Sequence, residues 1–289
     1  MSTDDTIKNQ LINSFSSGLK DLLDDFIIKE NKAYITLKAK NKDEAEKNNS
    51  FKMECETKLG KVDSLESFYV NFVFSNKQFN KIIAITSCKG GVGKSTVAAN
   101  LAFVLKDAGK KVGLLDADIY GPSIPKMLNI TKKPEVNNHK KIIPPKYKDI
   151  EVMSIGLLVN ENKPLVWRGP MQQSAITQLI NEVAWSNLDF LIADLPPGTG
   201  DAYLTITQKL KIDHAVIVTT SEKLAISDTR KGINMLIQLK IPILGIIENM
   251  SYLECIKCNE KHYLFGENGT KELADEFDLD ILGKLPFDH

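Results

Sequence analysis

The chain has 289 residues, no net formal charge at pH 7, 43% hydrophobic residues and 26% charged residues, which suits one large α/β domain plus a small one. The balanced charge gives no general electrostatic reason to bind nucleic acid or an anionic membrane. No apolar run approaches the roughly 18 residues of a membrane-spanning helix, and the polar N-terminus has neither a secretory h-region nor arginine-rich transit character. Four unevenly spread cysteines are too few for a disulfide scaffold, so we expect a protein of the reducing cytoplasm.

The N-terminal part of the chain is predicted to form a small α+β domain at 1–79, separate from a larger domain at 80–289. We find no catalytic constellation in the smaller domain. Its polar segment 40–50 is expected to be a solvated loop or the start of a helix. The other predicted elements are one helix with an apolar stripe from Leu11 to Leu23, strands at Ala33–Leu37 and Phe68–Phe74, and a linker at 75–78.

The stretch from Lys81 to Gly109 has the strand–loop–helix pattern of a nucleotide-binding site. An apolar run at 82–85 predicts a buried strand, and the apolar spacing from Val97 to Leu105 predicts the helix. Between them, glycines would let backbone N–H groups turn toward a phosphate, which the helix N-terminus also attracts. The residues expected to form this phosphate loop are Cys88, Lys89, Gly90, Gly91, Val92, Gly93, Lys94, Ser95 and Thr96.

Two side chains of the phosphate loop have predicted chemical roles. Lys94 can reach the β- and γ-phosphates of a nucleotide, and the Ser95 hydroxyl can ligate Mg²⁺. Cys88 stands where the common pattern has glycine, so its backbone must keep a negative φ angle. The alternative is a glycine-rich turn with lysines present by chance, but the flanking strand and helix favour the phosphate loop.

Strands and helices alternate after this loop, which predicts an α/β fold with a mostly parallel, doubly wound sheet. The lysine- and proline-rich segment 130–149 is expected to be an insertion or a flexible excursion. The predicted strands lie at 111–115, 151–155, 188–193, 215–219, 243–247 and 281–283, and the predicted helices at 170–185 and 224–239.

Three aspartates follow predicted strands, at the edge where parallel α/β sheets bind ligands. Asp194 suits Mg²⁺ coordination through water, and Asp118 can orient an attacking water or accept its proton. The alternative for a strand-end aspartate is to cap a turn or a helix. The phosphate loop upstream favours the catalytic role for Asp194, whereas both roles stay open for Asp116.

Cys255 and Cys258 form a C-x-x-C pair, a spacing that can present two thiolates to one metal ion or cluster. The alternatives are two reduced cysteines in a turn, or a zinc site that recruits His262, although no fourth ligand stands nearby. A thioredoxin-like redox pair is disfavoured because the pair does not open a helix after a strand. Cys55 stands alone and is better interpreted as a packing or exposed thiol.

Several stretches resemble one family closely, the Mrp/ApbC-type iron–sulfur cluster carriers. These carriers are deviant Walker A P-loop ATPases, alongside MinD- and ParA-like proteins and the nitrogenase iron protein. Residues 1–79 are similar to a diverged form of the small domain that often precedes the ATPase. The matching stretches are CKGGVGKST (88–96), LLDADIYGPS (114–123), WRGPM (167–171), DLPPGTGD (194–201), RKGINM (230–235), IENMSYLECIKC (247–258) and LFGENG (264–269).

The resemblance implies a homodimer that binds two ATP molecules with Mg²⁺ and hydrolyses them slowly. It implies that Lys89 contacts phosphate across the dimer interface, and that Asn249 and a segment beginning at Pro286 hold the adenine base. It implies catalytic or metal-binding roles, like those argued above, for Lys94, Ser95, Asp118 and Asp194.

The resemblance also implies that Cys255 and Cys258 bind an iron–sulfur cluster. A [4Fe–4S] cluster usually has four cysteine ligands, so two symmetry-related chains would supply them. The implied partners are scaffold proteins that donate clusters and apoproteins that receive them. This chain lacks the Pro-His often found between the two cysteines, and family members often continue beyond the position of His289.

A second function class is a spatial-organisation ATPase of the MinD or ParA kind, which acts on a membrane or on DNA. A MinD-like protein is expected to end in a basic amphipathic helix, but this chain ends in GKLPFDH. A ParA-like protein needs a basic DNA-binding surface, which the neutral charge does not favour. Neither rival explains the paired cysteines, so we expect no membrane or nucleic-acid partner.

Overall fold

The computed structural model describes residues 3–39, 42–62, 64–74, 79–158 and 169–287. The chain divides into two compact units, Met1–Lys77 and Gln78–His289, two residues before the boundary expected from the sequence. None of the helices in the described residues is both long and apolar enough to cross a bilayer. The predicted linker, Trp167 and Arg168 of the WRGPM stretch, and Asp288 and His289 at the end of the sequence lie outside the described residues.

Unit 1 is a three-stranded sheet with helices packed on one face. The strand order is β1-β2-β3, with β1 antiparallel and β3 parallel to β2. Alternate residues of β2, such as Ile35 and Leu37, are buried in an apolar cluster with Leu19 and Cys55 from the helices. The elements are α1 (Thr3–Ser14), α2 (Ser17–Leu22), β1 (Leu23–Lys29), β2 (Lys32–Ala39), α3 (Lys42–Lys47), α4 (Asn49–Leu59) and β3 (Ser67–Phe74).

The prediction of a single helix through Leu23 is wrong. Ser16 separates α1 from α2, because its side chain caps α2 by accepting a hydrogen bond from the backbone N–H of Leu19. The backbone N–H and hydroxyl of Ser16 also donate to the Glu54 carboxylate, which fixes the break in place. Leu23 then begins β1, so the apolar stripe continues from helix into strand.

Unit 2 is built on an eight-stranded sheet, flanked by helices on both faces. Its elements begin with β4 (Phe79–Thr86), α5 (Lys94–Asp107), β5 (Val112–Asp116), α6 (Ile124–Met127), β6 (Glu135–Val136), β7 (Ile142–Ile143), β8 (Lys146–Tyr147), β9 (Ile150–Ser154), a 3₁₀ turn (Ile155–Leu157) and α7 (Gly169–Asn181). They continue with β10 (Leu188–Asp194), α8 (Asp201–Leu210), β11 (His214–Thr219), α9 (Lys223–Gln238), β12 (Ile243–Glu248), β13 (Leu253–Glu254), β14 (Lys261–His262), α10 (Gly269–Phe277) and β15 (Ile281–Lys284).

The strand order of this sheet is β15-β12-β11-β4-β10-β5-β9-β8, and every neighbouring pair is parallel except β8 with β9. Residues that alternate along each strand enter two different apolar layers. Ala84 of β4 packs in the layer that contains residues of α7, α8, α9 and α10, while Ile85 packs in the layer that contains α5 and α6. The predicted doubly wound α/β fold is confirmed.

The segment 130–149 is more ordered than a flexible excursion. Its β6 and β7 pair with each other, and β8 adds an antiparallel edge to the main sheet through Lys146 and Tyr147. Ile142 is buried and shares the apolar layer of α7. The lysine- and proline-rich composition therefore did not reveal the apolar residues that anchor the segment.

Candidate functional site

The phosphate loop runs from the end of β4 to the start of α5. Gly91 and Gly93 have φ angles of +78° and +83°, which side chains disfavour. At Gly93 a Cβ atom would also lie 2.1 Å from the amide nitrogen of Asn249, so close contact requires glycine as well. Cys88 is not among the residues with positive φ, as the sequence required for a side chain at this position.

Lys94 and Asp194 form an ion pair inside the site. The Lys94 Nζ atom lies 2.5 Å from Asp194 Oδ1, and the two side chains are 7% and 0% exposed. Burial raises the pKa of Asp194, while Lys94 and the hydroxyl of Ser95 oppose that rise and the charge of Asp118 adds to it. In the described part of the chain, the buried Oδ2 atom of Asp194 has no hydrogen-bond partner. A carboxylate oxygen is therefore available to a cation beside Lys94 and Ser95.

Asp116 has the capping role that the sequence left open. Its Oδ2 atom accepts hydrogen bonds from the backbone N–H of Ile124, at the start of α6, and from the Ser154 hydroxyl of β9. Its Oδ1 atom accepts from the backbone N–H of Asp118. Burial, followed by the nearby charge of Asp194, raises the pKa of Asp116 to about 7. Asp116 thus joins three elements beneath the site.

Asp118 is partly exposed and holds a turn at the edge of the site. Its Oδ1 atom accepts hydrogen bonds from the backbone N–H groups of Tyr120 and Gly121, at 3.2 and 3.1 Å. The same carboxylate is close enough to raise the pKa of Asp194. The structure therefore brings Lys94, Ser95, Asp118 and Asp194 to one place, although their catalytic roles stay predictions.

The first two side chains of the phosphate loop contact α9 and its N-cap, and neither contact was predicted from the sequence. Lys89 forms an ion pair with Glu222, the residue that precedes α9. Cys88 lies against Gly232 in the middle of the helix. No local pattern identifies Glu222, but the quoted stretch RKGINM already contained Gly232 without assigning it a role.

The two cysteines of the C-x-x-C pair lie on a small hairpin made by β13 and β14. The backbone N–H of Cys255 donates to the carbonyl of Glu260, and Cys258 lies in the exposed turn between the strands. Hydrogen bonds from the backbone of Lys257 and Cys258 and from the Cys258 side chain lower the pKa of Cys255. Both thiols are free. Within the described ranges, no three His, Cys, Asp or Glu side chains are grouped to hold a metal ion, so His262 does not complete a zinc site.

Backbone hydrogen bonds connect this hairpin to the nucleotide-binding end of the sheet. Beyond the paired ends of β12 and β15, the backbone N–H of Ser251 donates to the carbonyl of Leu285, and the backbone N–H of Phe287 donates to the carbonyl of Tyr252. Pro286 lies between these two residues of the last segment. With Phe287, it lines a groove of about 500 Å³ that also contains Cys255, Ile256 and His262.

Asn249 belongs to the same connection. Its side-chain amide donates a hydrogen bond of 2.9 Å to the carbonyl of Val92 in the phosphate loop. Asn249 therefore contacts the phosphate loop, whereas Pro286 lies beside the cysteines. The backbone hydrogen bonds between 251–252 and 285–287 connect these two places. Their predicted contact with an adenine base stays a prediction.

A parallel sheet with a glycine-rich loop between β4 and α5, and a buried aspartate at the end of the neighbouring β10, defines a P-loop nucleoside triphosphatase fold. The family model described as NUBPL iron-transfer P-loop NTPase, of the ParA group, matches residues 78–289. The chain belongs to this family. That match favours the carrier hypothesis over a spatial-organisation ATPase.

Named relatives agree with the family match. The chain is 48% identical over 208 residues to the iron–sulfur protein required for NADH dehydrogenase, mitochondrial, of Arabidopsis thaliana, a match that covers 72% of this chain and 66% of that one. It is also 48% identical over 208 residues to the iron–sulfur cluster transfer protein NUBPL of Mus musculus, covering 71% and 65%. The chain thus spans slightly less than two thirds of the length of these two relatives.

A solved structure supports the nucleotide-binding assignment of the fold. The nucleotide-binding protein of Archaeoglobus fulgidus, solved in complex with ADP, superposes with a TM-score of 0.65 at 42% identity. The superposition covers 73% of this chain and 84% of that one.

Proposed function

We propose that this protein is an ATP-binding and ATP-hydrolysing carrier that binds a [4Fe–4S] cluster and transfers it to apoproteins. The observation that carries the proposal is the free thiol pair of the partly exposed Cys255 and the exposed Cys258, on a hairpin joined by backbone hydrogen bonds to the nucleotide-binding end of the sheet. The names of the mouse relative and of the family model support the same function.

The nucleotide would bind where the phosphate loop, Lys94 and Asp194 meet. Backbone N–H groups of the loop and the N-terminus of α5 would hold the phosphates, and Lys94 would neutralise the terminal ones. Mg²⁺ fits beside them, since the unpartnered Oδ2 atom of Asp194 and the Ser95 hydroxyl are oxygen ligands of the kind that it prefers. Mg²⁺ held there would offset phosphate charge, and Asp118 would orient the attacking water. We propose that hydrolysis is slow, because the protein would use ATP to carry a cluster and not to drive metabolism.

The cluster is the cargo, and we propose that it bridges two chains. One hairpin offers two thiols, whereas Cys55 is fully buried and the Cys88 thiol packs against α9. A [4Fe–4S] cluster is usually held by four thiolates, which a two-fold axis through two hairpins would supply. The lowered pKa of Cys255 favours the thiolate that binds iron. An exposed, shared site suits a cluster that is received from a scaffold protein in the cytoplasm and passed on.

The test is anaerobic reconstitution of the full chain with iron and sulfide, followed by analysis of both elements and of the oligomeric state. We expect about four irons per dimer in the wild type and loss of the cluster in Cys255→Ala and in Cys258→Ala. Cys55→Ala is the matched control, because it removes a thiol that is buried in unit 1, and it should keep the cluster. A complete cluster on a demonstrated monomer, or stoichiometric zinc without sulfide, would contradict the proposal.

A further inference from the structure

Gly232 lies in the interior of α9, directly beside the first side chain of the phosphate loop. A Cβ atom at Gly232 would lie 1.9 Å from Cys88 Sγ but 3.6 Å from Cys88 Cβ. The first distance is a collision and the second is ordinary contact. Glycine is unfavourable inside a helix compared with alanine, so helix stability does not explain its presence. The space is occupied by the sulfur atom of Cys88.

Side-chain contacts join the helix that carries Gly232 to β11, to α10 and to the phosphate loop. The Thr229 hydroxyl donates to Thr219 of β11 at 2.9 Å, and Arg230 makes a double hydrogen bond to Glu276 of α10. Glu222 at the N-cap pairs with Lys89 of the loop. Thr229 and Arg230 hold α9 independently of the loop, whereas the Glu222–Lys89 pair links the helix to the loop itself. A methyl group at Gly232 therefore forces the Cys88 side chain to turn, and the phosphate loop that carries it to shift.

We propose that Gly232 is a positioning residue for nucleotide binding: it accommodates the Cys88 side chain, and through this contact α9 sets the position of the phosphate loop. The proposal rests on the nucleotide-binding part of the proposed function. It assigns a role to the stretch RKGINM at 230–235, which the nucleotide and cluster sites do not use. It also explains how this chain tolerates a side chain at the first position of the loop.

The state of the Cys88 thiol agrees with a packing role. Burial raises the pKa of Cys88 to about 11, and a hydrogen bond from the backbone of Gly232 offsets only part of that rise. The side chain is therefore a neutral thiol at physiological pH, and it acts by filling space rather than as a metal ligand.

The experiment is a double-mutant cycle on the full chain with Mg-ADP as the probe. Gly232→Ala is expected to weaken Mg-ADP binding about tenfold in calorimetric titration, because the new methyl group displaces the loop. In the Cys88→Ala background, which keeps Cβ and removes only Sγ, the same substitution is expected to change affinity by less than about twofold. Ser227→Ala, an exposed alanine substitution on the same helix, is the control for helix propensity and should leave affinity unchanged.

Amide hydrogen exchange in the nucleotide-free protein provides a second readout of the same cycle. Gly232→Ala should speed exchange of the amides at 88–97, and Cys88→Ala should cancel that increase. A Gly232→Ala protein that folds only together with Cys88→Ala would support the proposal equally.

Equal effects of Gly232→Ala in both backgrounds, no effect in either, or failure of both proteins to fold would overturn it. If the wild type does not bind Mg-ADP, the proposed function fails, and the exchange cycle alone decides whether the Cys88–Gly232 contact positions the loop.

Discussion

Lys94 and Asp194 are opposite charges that solvent hardly reaches, so each depends on the other. We expect Lys94→Ala to lower the free energy of unfolding of the nucleotide-free protein by about 3 kcal/mol, since it leaves a buried carboxylate unpaired. It should also weaken Mg-ATP binding. Urea denaturation checks the first effect, with Lys106→Ala in the last turn of the same helix as the control, because Lys106 is paired only at the surface.

Adding Asp194→Asn to Lys94→Ala should recover part of the lost stability, because the unpaired charge is then removed. If Lys94→Ala lowers the free energy of unfolding no more than Lys106→Ala does, the ion pair contributes little to folding.

At the residue scale, local patterns identified the loop residues that we propose bind phosphate, but not the residues that contact them. Lys94 could be assigned because glycines, a strand and a helix surround it in the sequence. Glu222 and Gly232 could not, because they reach Lys89 and Cys88 only after β11 has been placed beside β4. The sequence left a catalytic role and a capping role open for Asp116. The hydrogen bonds that it accepts from Ile124 of α6 and Ser154 of β9 show the capping role.

At the scale of elements, Asp116 joins β5, β9 and α6 through one buried carboxyl group, and this makes the stability of unit 2 depend on pH. Its pKa in the folded protein is about 7, above the ordinary value of 3.8, so the folded protein binds this proton more tightly than the unfolded chain. The contribution of protonated Asp116 to the free energy of unfolding is fully present below the ordinary pKa and is lost as the pH rises through about 7.

We therefore expect the free energy of unfolding to decrease between pH 5 and pH 8 more steeply in the wild type than in Asp116→Asn. Urea denaturation at the two pH values measures the difference. Asp107→Asn, at a 75% exposed side chain of α5, should keep the wild-type slope. Identical slopes in the wild type and Asp116→Asn would contradict the raised pKa.

The sequence predicted strands better than it predicted the ends of helices. The strands predicted at 82–85, 188–193 and 215–219 correspond to β4, β10 and β11. They could be predicted because a strand buried on both faces is a nearly continuous apolar run with polar residues at its ends. The short β8 was missed, since two residues on a sheet edge leave almost no periodicity. In unit 1, the predicted helix ran on into β1, because apolar residues such as Leu22 and Leu23 suit a helix face and a buried strand equally well.

At the scale of the whole molecule, the proposed dimer requires Lys89 to leave its partner in its own chain. It pairs with Glu222 here, whereas the family resemblance implies contact with a nucleotide on the partner subunit. We expect Lys89→Ala to reduce ATP hydrolysis more than ATP binding, because the contact forms only in the closed dimer.

Mixing equal amounts of Lys89→Ala and Asp118→Ala subunits tests this directly. If Lys89 acts across the interface, half of the dimers regain one complete site, and activity should recover to about a quarter of the wild type. Mixed dimers that form normally but remain inactive would place Lys89 in its own site instead.

The four thiols differ in how readily an oxidant can react with them. Cys55 is fully buried and the Cys88 thiol has a raised pKa, whereas Cys258 is exposed and the pKa of Cys255 is lowered. Oxidation follows thiolate character and access, so oxygen reacts first with the pair on the hairpin. No residue of that hairpin, from 253 to 262, belongs to the apolar clusters of the described residues. Air would therefore remove the proposed ligands of the cluster while the rest of the protein stays folded, and a preparation with an intact fold would have lost the proposed capacity to carry iron.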